Sequence, residues 1–284
     1  MTTAEGSMDS RRIDGHIHLW RLSRGDYDWM TPDLTPLYRD FGVDDLVPLM
    51  DAAAMDQAVL VQAAETVAEC NFLLDIAVAS DRIAGVVGWL DMGSTYFGTQ
   101  LDSFSTNPYF KGVRPMIQDI ADDGWMLAER QRPAFERLEE TATCFDCLVR
   151  PQHLDNLILL LERHPSLLAI IDHGAKPDIA GGQFDAWAEK MSAIASRTSA
   201  LCKFSGLITE AGEDWTVDRL RPYADHLLET FGPDRLVFGS DWPVLTLGAD
   251  YPRWFDVANI LLAGLDEAGR AAIFGGNAAR FYRL

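Results

Sequence analysis

Basic residues are scarce: 24 Lys and Arg stand against 43 Asp and Glu, a formal charge of -19 at neutral pH over 284 residues. No stretch gathers the few cations into a patch, so phosphate backbones and anionic lipid would be repelled, which argues against nucleic acid or a membrane surface as a partner. Long apolar runs are lacking too. None reaches the length needed to cross a bilayer, and the opening MTTAEGSMDSRR has no apolar secretion-signal core, so a cytoplasmic protein is expected. Cysteine is limited to Cys70, Cys144, Cys147 and Cys202, too few to staple a chain of this length, and all four are expected to be reduced. Cys144 and Cys147 form a CxxC inside the apolar segment CFDCLV; residues three apart on a strand face opposite ways, so one metal ion is not expected to bind both. Neither Gly-x-Gly-x-x-Gly nor a phosphate-cradling loop is present, which removes the main support for a nucleotide-binding open sheet.

What the chain does have is a regular alternation of short apolar strands with amphipathic stretches. With 48% hydrophobic and 24% charged residues it carries the composition of a globular protein with a buried core. Eight strands are expected: Ile13 to Trp20, Ala58 to Ala63, Ile83 to Asp91, Phe110 to Met116, Cys144 to Val149, Leu167 to His173, Leu201 to Ser205 and Leu236 to Asp241. Segments such as VDDLVPLMDAAAM, AECNFLLDIAVAS, LDNLILLLERH, FDAWAEKMSAIAS and VDRLRPYADHLLETF read as helices between them. Asp44 and Asp45 open the first of these, and Phe231-Gly232-Pro233 closes the last. Eight βα units favour a parallel sheet closed as a (β/α)8 barrel, one domain over residues 13–284 behind a flexible segment 1–12. The irregular stretch from Arg21 to Phe41 follows strand one, where a barrel places its active-site loops, and is a plausible lid.

Titratable residues recur where strands end. Strand one carries Asp14-Gly15-His16-Ile17-His18, and alternation sends His16 and His18 to one side, where two imidazoles could ligate a metal or polarise a carbonyl. Taken alone the pair could equally be core histidines satisfied by hydrogen bonds. His173 closes LLAIID and Asp241 closes RLVFGS, however, and such groups are costly at the end of a buried strand unless paired or coordinated. A shared site accounts for all four.

Around these residues the chain resembles the amidohydrolase superfamily, in the amidohydrolase-related branch that includes lactonases for fuconolactone, rhamnonolactone and galactonolactone and 2-pyrone-4,6-dicarboxylate lactonase. The resemblance runs in order through DGHIHLW (14–20), VLVQA (59–63), AGVVGWLD (84–91), GVR (112–114), IDH (171–173), KFSGL (203–207), FGSDWPV (238–244) and NAARFY (277–282). It implies a barrel, hydrolysis of a small sugar lactone, and site roles for His16, His18, His173 and Asp241. In superfamily members with two metals a strand-four lysine or carboxylate bridges them; here strand four, FKGVRPM, offers Arg114, and Lys111 sits at its wrong end. The usual strand-five histidine is absent, and His153 only follows that strand. One divalent ion, zinc, held by His16, His18, His173 and Asp241, and no metal at all are both consistent with the branch.

The chemistry expected is activation of water by Asp241, which then returns the proton to the leaving ring oxygen, with His16, His18 and His173 polarising the carbonyl. Arg114 and Gln62 are candidates for substrate hydroxyls or carboxylate, with an ion pair and local backbone bonding as their ordinary alternatives. Trp29 and Trp242 are candidates to stack on a sugar ring, Trp29 because the irregular loop carries it; buried tryptophans otherwise serve the core. Decarboxylation or amide hydrolysis on the same barrel, or sugar-acid binding without catalysis, are the competing readings. The sequence is silent on oligomeric state.

Overall fold

The computed structural model describes residues 11–284; the rest of the segment expected to be flexible, residues 1–10, lies outside the described residues. Arg11 and Arg12, its last two members, are tied to the barrel: Arg11 donates to Gln57 Oε1 at 2.7 Å and Arg12 lies over the Phe255 ring.

Eight parallel strands follow one another in space in chain order. They are β1 Ile13–Ile17, β2 Gln57–Val61, β3 Ile83–Gly88, β4 Phe110–Val113, β5 Cys144–Cys147, β6 Ala169–Ile171, β7 Leu201–Phe204 and β8 Leu236–Phe238. The helices are α1 Val43–Ala52, α2 Val67–Ala79, α3 Phe97–Phe104, α4 Arg132–Thr141, α5 Leu154–Arg163, α6 Asp185–Arg197, α7 Val217–Phe231, α8 Tyr251–Leu261, α9 Glu267–Ala271 and α10 Asn277–Tyr282. Helix starts follow local chemistry: Thr66, Thr216 and Asp250 each accept a first-turn N–H, and Asp45 reaches back to the Gly42 N–H. The sequence reading does not single out α3, α4, α8, α9 and α10; α3, α9 and α10 are only five to eight residues long, and α4 and α8 carry a proline in the first turn.

Alternation along the strands builds two cores. Val59 and Val61 point inward with Ile13, Val87, Cys144, Ile170 and Val237, and α10 closes the floor with Ala278, Phe281 and Tyr282. Leu60, Phe145, Cys147 and Ile171 point outward against the helices. Cys144 and Cys147 therefore lie in different cores, each free. No helix among the described residues is long and apolar enough to cross a membrane.

The seam between β8 and β1 is short. Asp241 donates its N–H to His16 O at 2.8 Å and His18 donates to Trp242 O at 2.7 Å, beside a parallel bridge between Ile17 and Trp242. Close approach requires Gly15, where an added Cβ would lie 2.4 Å from Val237 Cγ1. The last barrel contact thus joins the residues that carry His16, His18 and Asp241.

Candidate active site

The strands are shorter than the sequence reading has them, and the difference matters. β1 ends at Ile17, β6 at Ile171 and β8 at Phe238, so His18, His173 and Asp241 stand just past their strands, in loops. Both His173 (φ 54°) and Asp241 (φ 59°) adopt the left-handed region, which few residues other than glycine enter and which costs of order 1–3 kcal/mol each. Surrounding hydrogen bonds hold them there: His173 Nδ1 meets Ser205 Oγ at 2.8 Å, and Gly206 leaves room, because a Cβ there would lie 2.6 Å from His173 Cβ.

The four side chains converge. Asp241 Oδ1 is 3.2 Å from His18 Nε2, 3.6 Å from His16 Nε2 and 3.8 Å from His173 Nε2, and the His16 and His18 Nε2 atoms are 3.1 Å apart. All four are buried. His18 Nδ1 donates to Val61 O at 2.8 Å, which leaves its Nε2 lone pair facing the others. Burial drives every imidazole toward its neutral form: His173 is lowered to about 4, and His16 and His18 are lowered as well, His16 further by Lys203. Burial would push Asp241 up, but the facing His173, His18 and His16 outweigh it and hold the carboxyl far below its usual range. Burial thus favours neutral imidazoles, while their proximity favours an ionised Asp241.

His18, His173 and Asp241 line a cavity of about 230 Å³, with Arg114 beside them and Trp29, Met116, Leu148 and Val244 as its walls. A hollow of about 600 Å³ at the other end of the barrel, between Pro233 and Arg280, is larger but gathers no imidazole. The loop from Arg21 to Phe41 packs down over the barrel mouth: Trp29 donates to Ala63 O at 2.7 Å and meets Trp20 edge to face.

Two side chains expected to meet substrate do not line the cavity. The Gln62 side chain donates to Arg114 O at 2.7 Å, and the Gln62 backbone carbonyl accepts from Arg114 NH2, so this residue fixes the arginine. Trp242 is buried and packs edge to face on Phe41 at 5.2 Å, because the turn after Asp241 sends it outward. Arg114 lines the cavity and also reaches Asp172 Oδ2 at 3.3 Å. His153 stays outside, accepting from Arg150 N–H and facing Asp123, and Lys111 at the far end donates to Arg283 O.

The sequence reading misses a layer of charge beneath the histidines. Fully buried Lys203 places Nζ 2.5 Å from Asp146 Oδ2, 2.9 Å from Asp172 Oδ1 and 2.9 Å from His16 Nδ1. Tyr282 of α10 donates to Asp146 at 2.8 Å. Burial opposes the lysine's charge, but Asp146 and Asp172 raise its pKa overall; Asp146 is itself pushed up to about 6 by burial. Asp14, also pushed up to about 6 by burial, accepts from the Ser240 and His16 N–H groups and from Tyr251, pinning the seam. A lysine in the middle of the apolar strand LCKF and an aspartate in CFDC were the available signals.

The donor atoms suit one divalent ion: ligands about 2.0–2.1 Å from a tetrahedral zinc lie about 3.3 Å apart, close to the separations seen here. His16, His18 and Asp241, or His16, Asp172 and His173, come close enough together to share one. A second ion would face the cations of Arg114 and Lys203.

Relatives share this architecture along nearly the whole chain. The chain is 40% identical over 277 residues to an L-fucono-1,5-lactonase of Burkholderia ambifaria, covering 96% of each. An L-fucono-1,5-lactonase of Burkholderia multivorans is 34% identical, over 98% of this chain and 97% of its own. Among solved structures, an amidohydrolase of Burkholderia multivorans with bound zinc superposes with a TM-score of 0.93 at 32% identity, covering 96% of this chain and 99% of that one. Residues 13–284 match the family described as amidohydrolase: the chain belongs to the amidohydrolase family.

Proposed function

We propose that this chain hydrolyses the ring ester of a small aldonolactone to the free sugar acid, with L-fucono-1,5-lactone the first substrate to test. It is a hydrolase of carboxylic ester bonds, as the two lactonases similar to it along nearly their full length are. The observation that carries the reading is Asp241, an ionised carboxylate that lines a cavity sized for one sugar ring and lies 3.2–3.8 Å from three imidazoles.

The reaction needs a nucleophilic water, a stabilised oxyanion and a proton for the departing alcohol. Asp241 accepts a proton from water as the water oxygen bonds to the lactone carbon; its low basicity suits transfer that keeps pace with that attack, since water's acidity rises as the bond forms. The Arg114 guanidinium lines the cavity where the carbonyl oxygen gains charge, and removing one such donor commonly costs about 3 kcal/mol in the barrier. When the ring carbon–oxygen bond breaks, the alkoxide takes the proton back from Asp241. Trp29 gives the ring a flat apolar wall. A divalent ion held at His18 and Asp241 would supply Lewis-acid polarisation of the carbonyl.

Acid release from L-fucono-, L-rhamnono- and L-galactonolactones, measured before and after treatment with a chelator, tests the reading. Turnover of at least one lactone is expected. No lactone hydrolysed by enzyme carrying its full metal complement would overturn it in favour of decarboxylation or amide hydrolysis.

A further inference from the structure

Lys203 does not line the cavity, yet it reaches the site through His16. An ammonium has only protons to give, three of them, and Nζ has three acceptors: Asp146 Oδ2, Asp172 Oδ1 and His16 Nδ1. The other end of the run is equally one-sided. His18 Nδ1 lies 2.8 Å from Val61 O, which only accepts, so His18 carries its proton there and turns a lone pair toward His16 Nε2, 3.1 Å away.

Along the run from Lys203 to Val61 one proton arrangement makes each link a hydrogen bond, while it sets His16 Nε2–H 3.4 Å from Arg114 NH1 and the His18 Nε2 lone pair 3.2 Å from Asp241 Oδ1. Lys203 donates to His16 Nδ1, His16 Nε2–H donates to His18 Nε2, and His18 Nδ1–H donates to Val61 O. The opposite tautomer of His16 would set its Nδ1–H against the ammonium at 2.9 Å, with Asp172 Oδ1 a distant 3.5 Å acceptor, and would leave two lone pairs facing at 3.1 Å.

We infer that Lys203 is a positioning residue that locks His16 as the Nε2–H tautomer, so His16 enters the site as an N–H donor and not as a lone-pair ligand. The donor points between His18 and Asp241 Oδ1, 3.6 Å away. His18 and Asp241 keep lone pairs, and His16, common to both trios close enough to share an ion, is withheld from one. The inference leans on the lactonase reading only for what the N–H is used for; the tautomer does not depend on it.

Long-range 1H–15N correlation spectra of the full-length, metal-free protein labelled with [15N]histidine separate the two tautomers. Six histidines keep the spectrum simple, and His16→Gln identifies the signals of His16. The wild type is expected to show the Nε2–H pattern at His16, and Lys203→Met to move it to Nδ1–H with Asp172 as acceptor. Because that change strips a partner from two buried carboxylates, Lys203→Met/Asp146→Asn is measured alongside, with the same switch expected. An Nδ1–H pattern in the wild type, or Nε2–H persisting in a folded variant, overturns the inference, and the wild-type spectrum decides if neither variant folds. Lactone assays on the same samples read out separately, so loss of the lactonase reading would leave the tautomer result standing.

Discussion

The two ends of the barrel interior are built on opposite principles. At the floor, Ile13, Val59, Val87, Ile170 and Val237 pack against Phe281 and Tyr282 in a core held by apolar burial. At the mouth, three imidazoles, a carboxylate and a guanidinium crowd at separations of 3.1–3.8 Å, two of them on left-handed backbone. Between them lies the layer of Lys203, Asp146 and Asp172. The floor is where the chain gains stability; the mouth is where it accepts strain and buried charge so that particular atoms converge. Substitutions should therefore separate: floor changes move stability and leave chemistry, mouth changes do the reverse.

Ile13→Ala is expected to cost about 2–5 kcal/mol of stability by chemical denaturation with kcat nearly unchanged. A drop in kcat of tenfold or more at full folding would break the division. His173→Gln should lower kcat by about 10²-fold, roughly 3 kcal/mol in the barrier, while the thermal midpoint moves little. The same residue sets a pH limit: buried and lowered to about 4, His173 stays neutral until the medium falls to that range. On protonation it would pair with Asp241 and quench its basicity, so the acid limb of kcat/KM is expected near pH 4. A limb near 6.5, that of a free imidazole, would count against the burial argument. Tyr282→Phe removes one hydrogen bond to Asp146 at the floor and should cost about 1 kcal/mol of stability, leaving turnover intact. Smallest of all, Trp29→Phe keeps an aromatic wall but gives up the bond to Ala63 O, and a KM increase of only a few-fold is expected.

Much of this division could be read from the sequence. Alternating apolar runs imply the barrel, and His16, His18, His173 and Asp241 stand out because a titratable group ending an apolar strand needs a partner. The reading failed where partners come from distant strands. Lys203 contacts Asp146 of β5 and His16 of β1, a pairing that exists only once the barrel closes, so the lysine looked like one residue of the run KFSGL. From the sequence Gln62 reads as a substrate contact because it ends strand two, and Trp242 because its flat apolar face suits a sugar ring. The turns there send Gln62 to the backbone of Arg114 and Trp242 to Phe41, and no local pattern encodes that. Strand ends were drawn too long for the same reason: the polar residues at the mouth leave the ladder to reach one another.

The central claim is that the Asp241 carboxylate performs the chemistry within a site the neighbouring imidazoles assemble. Asp241→Asn, measured for both lactone turnover and binding of the sugar-acid product, tests it most directly. The account predicts that turnover is nearly abolished while the protein stays folded and the product still binds; an Asn variant retaining most of its turnover would contradict it.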